Sequence, residues 1–437
     1  MAQAIIKIIV TPHLILKVFL FICVVGLSGY SSYLVILSTM NYFTYSVSTT
    51  TRTFDEVPSL FPKVTFCNLN MFQTQYAFNN FYSLYFNSRP ISENEEKMLG
   101  HDLNDILIIC LFNNIKYNSG DFIWSWDELY GNCFTFNSGF DSNGNRIDLK
   151  TVTLEGPMSG LKLTIYVNVY EKLIIANGVF LEFGVVMRIG NSSYSTFHPY
   201  SDGVSVSPGF QTKIVIDREF KSMLPKPYSN CEIVPNTPKY LEGMDLYNLI
   251  SESNYKYTQQ LCFVQCYQKY LIQKYNCTIF WFLSLYNANI CTRDVWDTLW
   301  SNESEFFDSK FINKNCISLC PLECGQTLYE TSISSNHLVG NEDYIRRKPN
   351  LITDFINRTL DTKATRESIV FVNIYYDSIS YTQTIESPQT DGIKLFSDIG
   401  GNLGFYLGLS VFSFFEIIEV MVEIFFIVKK QRRIGRI

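Results

Sequence analysis

Three carboxylates stand inside an apolar run. Glu416, Glu419 and Glu423 lie within residues 395–430, LFSDIGGNLGFYLGLSVFSFFEIIEVMVEIFFIVKK. Spacings of three and four place them on one face of a helix. The run is long enough to cross a bilayer, which takes about 20 residues at about 1.5 Å each. A charged side chain at the bilayer centre costs about 2.5–3.5 kcal/mol even on the mildest scale. The acidic face must therefore meet a partner or water. Two readings follow. Several copies of this helix line a cation pathway, or the acids sit near a cytoplasmic end and snorkel or pair with basic groups.

Gly400, Gly404 and Gly408 recur every four residues on the same run. Small residues at that spacing let membrane helices approach closely. In a continuous helix, at about 100° per residue, Ser410 lies roughly 120–180° around from the acids. Ser410 and the acids share one axis only if the helix breaks or changes partners between them. The glycines favour a break, and discontinuous membrane helices often mark ion sites.

These residues need a membrane scaffold to position them, and a second apolar run supplies one. Residues 18–37, VFLFICVVGLSGYSSYLVIL, are almost uninterrupted. A cleaved signal peptide with Lys7 and Lys17 as its basic region is the alternative. The run is too long for a signal core, and no small-x-small site closes it. A membrane helix is expected, with Gly26 and Gly29 allowing tight packing against the C-terminal helix. Lys429, Lys430, Arg432, Arg433 and Arg436 follow the second run, and Lys7 and Lys17 precede the first. The positive-inside rule puts both ends in the cytoplasm. The expected organisation is a cytoplasmic segment 1–17, a first span 18–38, an extracellular domain 39–395, a second span with the pore 396–428, and a cytoplasmic tail 429–437.

Cysteine usage agrees with this topology. Of 12 Cys, all but Cys23 fall between the two runs, and most crowd into 231–324. Dense Cys in an extracytoplasmic domain reads as disulfides. Zinc is disfavoured because His13, His101, His198 and His337 are scattered, none at ligand spacing to a Cys pair. Charged residues are only 17% and aromatics 16%, which fits membrane segments plus a folded aromatic-rich region and argues against disorder. A net charge of −6 gives no reason to expect a nucleic-acid partner. Sequons at Asn191, Asn276, Asn302 and Asn357 all lie in the expected extracellular part. No HExxH, G-x-S-x-G or P-loop is present, and no enzyme is expected.

Between the spans the pattern alternates between sheet and helix. Tyr42, Phe43 and Tyr45 suit interfacial anchors at the exit of the first span. Residues 61–72 and 131–137 read as short strands with a Cys each, and residues 73–130 as helix and loop. Period-two alternation predicts strands at 161–169, 178–189, 211–220 and 369–378, the last leading toward the second span. Residues 257–275 have helical periodicity, with Cys262 and Cys266 on one face. Cys316, Cys320 and Cys324 repeat that spacing, so two helical segments laced by bridges are expected, as a lever or as a simple stapled hairpin.

These stretches together resemble the degenerin/epithelial sodium channel family, nearer its acid-sensing and peptide-gated branches. FPKVTFCNLN resembles the segment after the family's first span, GNCFTFN its partner Cys motif, the 231–324 cluster its thumb, and DIGGNLGFYLGLS (398–410) the entry to its second span. The resemblance implies an α+β membrane protein: two transmembrane helices flanking a large disulfide-rich extracellular domain with a β-sheet palm and a helical thumb at about 231–330. It implies an amiloride-sensitive, sodium-selective channel in the plasma membrane, a homo- or heterotrimer with related subunits, gated by a proton, peptide or mechanical link. No cofactor is implied, only Na⁺ as permeant ion.

Residue by residue, the resemblance makes Gly408, Leu409 and Ser410 the selectivity filter. It makes Ser397, Asp398, Gly400 and Gly401 the gate and pore entry, and Glu416, Glu419 and Glu423 the acids of the lower pore. MLPKPYSNC (223–231) resembles the wrist loop, with Tyr228 contacting the Tyr42 region. The family's bridges carry over as Cys67–Cys133, Cys231–Cys324, Cys262–Cys320, Cys266–Cys316 and Cys277–Cys291. Cys110 is left as an odd thiol. The family's His-Gly pair before the first span is not matched, since His13 is followed by Leu14. That departure keeps a second expectation open: a non-conducting accessory subunit or surface binding protein of the same architecture.

Overall fold

The structure is a computed structural model. It describes residues 9–10, 12–70, 76–77, 79–80, 92–127, 130–169, 182–190, 203–233, 244–253, 255–279, 282–292, 294–295, 298–299, 309–338, 367–408, 422 and 424. The chain divides into two compact units, Met1–Thr50 with Glu386–Ile437, and Thr51–Ile385.

Among the described residues, the first unit holds helices α1 and α7. Helix α1 (Leu14–Phe43) extends the 18–38 expectation at both ends. Its 30 residues reach about 45 Å at 1.5 Å each, more than the roughly 30 Å of a hydrocarbon core. Among the described residues it is the one helix long and apolar enough to cross a membrane. Its apolar side chains point outward: Phe19, Phe21, Ile22 and Val25 are all exposed. Such a surface is stable only in an apolar solvent. Buried Ser31 is the exception. Helix α7 (Gly392–Leu407) packs on α1, where Tyr30 meets Tyr406 edge to face at 5.3 Å. The contact does not use the glycines as expected. A Cβ at Gly26 or Gly29 meets nothing within 4 Å.

Among the described residues, the second unit holds two large sheets, two two-stranded sheets and a helical insert. In chain order the strands are β1 (Val47–Asp55), β2 (Ser59–Leu60), β3 (Lys63–Asn68), β4 (Leu107–Phe112), β5 (Ile115–Tyr117), β6 (Phe122–Asp127), β7 (Gly131–Phe136), β8 (Thr151–Val152), β9 (Leu161–Tyr166), β10 (Val185–Gly190), β11 (Val204–Val206), β12 (Phe210–Ser222), β13 (Cys231–Glu232), β14 (Leu322–Glu323), β15 (Gly325–His337) and β16 (Ile369–Pro388). Among the described residues, one sheet runs β15-β12-β16-β9-β4-β5 with β1 also on β16, and another runs β11-β10-β3-β7-β6. One hydrophobic core draws on both, from Phe66, Phe122 and Phe136 on the smaller sheet to Leu163, Ile214 and Val372 on the larger. Phe112 and Phe136 bring the two together at 5.7 Å between ring centroids.

Alternation in the sequence explains the central strands. In β12, Thr212, Ile214, Ile216 and Arg218 are buried, while Gln211 and Asp217 are exposed. The strand expected at 369–378 runs on to Pro388. The reading of 73–130 as helix and loop needs correction, because β4, β5 and β6 lie within it. The short helices α2 (Glu93–Leu99) and α3 (Leu103–Ile106) precede them. LIICLF is a short continuous apolar run, and periodicity does not separate a buried strand from a buried helix in six residues. Of the strand expected at 178–189, the described part is β10.

The insert between β13 and β14 contains α4 (Met244–Glu252), α5 (Gln259–Tyr275) and α6 (Ser309–Asn315). Thr258 caps α5, its hydroxyl accepting from the Leu261 N–H at 3.2 Å. Asn276 ends the helix in the left-handed region, φ 58°. The second laced segment is not a continuous helix. Helix α6 stops at Asn315, before the first of its three cysteines. Cys320 N–H donates to the Cys316 carbonyl at 3.0 Å in an isolated turn, and Pro321 then has no N–H to continue it.

Candidate functional site

Helix α7 begins at Asp391, whose side chain accepts from the Lys394 N–H at 2.6 Å. Ser397 is exposed and Asp398 half-buried in its second turn. A Cβ at Gly400 or Gly401 meets nothing within 4 Å, so these glycines leave an open strip along the helix. The helix ends at Leu407. Gly408 is left-handed, φ 64° and ψ 26°, and its N–H donates to the Gly404 carbonyl at 3.0 Å. An L side chain in this conformation costs about 1–2 kcal/mol, so glycine suits the stop. Gly408 therefore terminates the helix and does not extend the Gly400–Gly404 face, as the four-residue spacing had led one to expect. The break expected between Ser410 and the acids falls outside the described residues. Leu409, Ser410, Glu416, Glu419 and Glu423 lie outside the described residues.

The structure joins Cys67 to Cys133, Cys231 to Cys324, Cys262 to Cys320, Cys266 to Cys316, and Cys277 to Cys291, the same pairs that the resemblance implies. Two bridges tie α5 to the 316–320 turn. Tyr257 reinforces them by donating its hydroxyl to the Pro321 carbonyl at 2.8 Å, and burial raises that phenol's pKa. The loop 223–231 is fastened to the same region: Met223 N–H donates to the Cys324 carbonyl at 2.8 Å, and the Cys231 bridge closes its far end. Tyr228 sits half-buried in this loop, its N–H donating to the Pro225 carbonyl. Tyr42 belongs to the other unit, at the end of α1, in an aromatic group with Phe43 and Tyr45. Of the sequons, Asn276 is exposed at the end of α5, whereas Asn191, Asn302 and Asn357 lie outside the described residues.

Sequence reasoning missed an ion pair in the larger sheet. Arg218 is 4% exposed and pairs with Glu56, which is 41% exposed. Its guanidinium lies 5.2 Å from the Phe220 ring centroid and 5.1 Å from that of Tyr381. The signal was present in the parity of FQTKIVIDREF, which turns Arg218 inward with Ile214 and Ile216. On the opposite parity, Asp217 faces Glu330 across the β12–β15 ladder. Burial, then Asp377, then Glu330 raise the Asp217 pKa above the usual carboxylate range. Glu96 is pushed up to about 7 by burial and by Glu93. Among the described residues, no group of three or more His, Cys, Asp and Glu is arranged to hold a metal.

A family model described as amiloride-sensitive sodium channel matches residues 2–97 and 76–420. The epithelial sodium channel subunit beta-2 of Xenopus laevis is 28% identical over 346 residues, covering 78% of this chain and 50% of the relative. The acid-sensing ion channel 1C of Danio rerio is 24% identical over 363 residues, covering 82% and 61%. The acid-sensing ion channel 1 of Gallus gallus is 24% identical over 408 residues, covering 83% and 71%. The chain spans about half the length of the epithelial sodium channel subunits it matches.

Proposed function

The chain belongs to the amiloride-sensitive sodium channel family, and on that premise we propose that it is one subunit of a trimeric, amiloride-sensitive, sodium-selective channel opened by an extracellular stimulus. The observation that carries this reading is the left-handed stop at Gly408, the first residue of the Gly408–Ser410 tract. A helix interrupted there turns backbone carbonyls and the Ser410 hydroxyl toward an axis shared by three subunits. Those oxygens replace part of the hydration shell of Na⁺. Glu416, Glu419 and Glu423 concentrate cations below it. Ser397, Asp398, Gly400 and Gly401 form the entry, where only small side chains leave room for closure.

In this reading 18–38 and 396–428 are the two spans and both termini are cytoplasmic. The sheets form the palm and the insert the thumb, and Tyr228 in the 223–231 loop couples the thumb to the Tyr42 end of α1. The protein resides in the plasma membrane, glycosylated at Asn191, Asn276, Asn302 and Asn357.

The test is two-electrode voltage clamp of cells expressing this chain alone, as wild type and as Ser397→Phe. The expected result is a constitutive inward sodium current in the variant, blocked by amiloride. Absence of current with protein demonstrated at the surface overturns the homomeric channel and leaves a heteromeric or accessory subunit.

A further inference from the structure

Asn276 is exposed, but the two residues that complete its sequon are buried. Asn276 closes α5 in the left-handed region, φ 58°, its backbone N–H donating to the Ile272 carbonyl at 2.9 Å. Cys277 is bridged to Cys291. Thr278 is 3% exposed. Its hydroxyl and its N–H both donate to the Asn289 carbonyl, at 3.4 and 2.9 Å, and its carbonyl accepts from the Cys291 N–H at 2.9 Å. Thr278 thereby pairs with Ile290 in an isolated parallel bridge. The disulfide and these hydrogen bonds hold the third residue of the sequon against the far end of the same loop. The acceptor asparagine faces solvent, while the hydroxyl that marks it as an acceptor faces inward.

An enzyme that glycosylates an N-x-S/T motif must reach the hydroxyl of the third residue as well as the amide of the first. On the folded loop it reaches only the amide. A glycan already on Asn276 points into solvent and leaves the loop free to close. Only one order therefore yields both modifications. We propose that Asn276 receives its glycan before the Cys277–Cys291 bridge closes, and that closure ends the opportunity for transfer. The proposal rests on the extracellular placement of this unit in the reading above, not on conduction. Transfer joins the Asn276 amide nitrogen to the anomeric carbon of a lipid-pyrophosphate-linked oligosaccharide. The bond from that carbon to the pyrophosphate oxygen breaks, and the lipid pyrophosphate leaves with one amide proton. Closure then proceeds by exchange with the disulfide of an oxidoreductase: the two thiols lose two electrons and two protons, and the enzyme's disulfide becomes a dithiol. Timing favours this order. Cys291 follows Cys277 by 14 residues, and synthesis at about 5–20 residues per second separates their arrival by about 1–3 s. Disulfide formation itself takes seconds to hours.

The experiment is glycan transfer in vitro to the full chain in detergent, made in cells whose glycosylation is blocked, with an Asn-Ala-Thr sequon appended at the C-terminus as internal standard. An oligosaccharyltransferase and a lipid-linked oligosaccharide are added to the folded, oxidised chain and to the same chain reduced and alkylated. Occupancy of Asn276 is read by mass spectrometry of its peptide. Transfer to Asn276 is expected in the reduced chain and is lower in the folded chain on the order of tenfold or more, since only local opening exposes Thr278 there. The folded double variant Cys277→Ser/Cys291→Ser is expected to regain most of the transfer. Equal transfer to the folded and the reduced wild type overturns the order. A double variant as refractory as folded wild type overturns the role of the bridge. No transfer to Asn276 in any sample, with the standard modified, shows that it is no acceptor and overturns the proposal outright. In cells the mature chain is expected to carry glycan and bridge on one peptide. A bare Asn276 in cells, beside transfer to the reduced chain in vitro, counts against the extracellular placement and overturns the order with it.

Discussion

Across the β4–β5 ladder the register partner of Cys110 is Tyr117. Cys110 is a free, buried thiol, and burial, with Asp121 adding to it and Lys150 opposing, pushes its pKa up to about 12. Thiolate is the reactive form, so at neutral pH this thiol is inert. Iodoacetamide is expected to label Cys110 only after the chain is unfolded, and labelling of the folded protein would refute the burial argument. Register partners in antiparallel strands stand about 4.5–5.5 Å apart at Cα, within the range a disulfide accepts. Tyr117→Cys is therefore expected to form a bridge to Cys110, seen as a cross-linked peptide under non-reducing conditions. The sequence showed that Cys110 was left over but not what stood opposite it. Glu96 carries the clearest pH prediction. Its carboxyl has a folded pKa near 7 against an ordinary 4.5. Below the lower value both folded and unfolded states hold the proton. Between the two values the unfolded chain releases it while the folded chain keeps it, so stability falls as pH rises through that window. Glu96→Gln removes this dependence. The variant should unfold at a higher temperature than wild type near pH 8 and at the same temperature near pH 4; equal unfolding temperatures at both would sink the assignment.

At the scale of elements, α5 is fixed by glutamines as well as by disulfides. Gln268 is fully buried, donates to the Ile279 and Phe282 carbonyls at 3.0 and 2.8 Å, and accepts from the Ile279 N–H at 3.1 Å. Gln265 does the same one turn earlier, with the Leu283 carbonyl and the Leu285 N–H. These side chains pair with the backbone at Ile279, Phe282, Leu283 and Leu285, which lie outside the described helices and strands. Gln268→Leu keeps the volume but leaves three buried backbone groups unpaired, at a cost of roughly 3 kcal/mol or more. Gln273→Leu, on the exposed face of the same helix, should change stability by no more than about 0.5 kcal/mol. Thermal unfolding of the two variants side by side decides the matter, and equal losses would show that burial, not hydrogen bonding, sets the effect. The helical period of 259–275 was legible because cysteines and apolar residues share one face of a long element. Strands β9, β12 and β16 were legible because their apolar residues recur at every second position, although only β12 buries one face and leaves the other more open. The β4–β6 stretch was not, since its strands are short and its apolar runs continuous. The 316–324 stretch misled in the opposite direction, because a four-residue Cys spacing fits one turn as well as a helix, and Pro321 was the available warning.

At the scale of the whole molecule, the sequence marks out the apolar runs and the crowded cysteines, both local properties of composition. It does not show which distant acids meet: Asp217, Glu330 and Asp377 come from three strands and act on one another only through the sheet. Topology depends instead on chemistry that the fold makes visible. All five disulfides, between Cys67 and Cys324, belong to the unit Thr51–Ile385. Bridges of this kind persist in oxidising compartments and are rare in the cytosol. That unit is therefore expected on the outer side, reached from α1 at one end and returning to α7 at the other. The Lys and Arg residues at 429–436 then stand on the inner side with Lys7 and Lys17. Epitope tags at the two termini are expected to bind antibody only after permeabilisation. A glycosidase should shorten the protein on gels, and Asn276→Gln should remove one glycan from that shift, since Asn276 is exposed at the end of α5. A terminal tag stained on intact cells would overturn the two-span topology. An unchanged glycan count in Asn276→Gln would leave the topology intact and assign the sugar elsewhere.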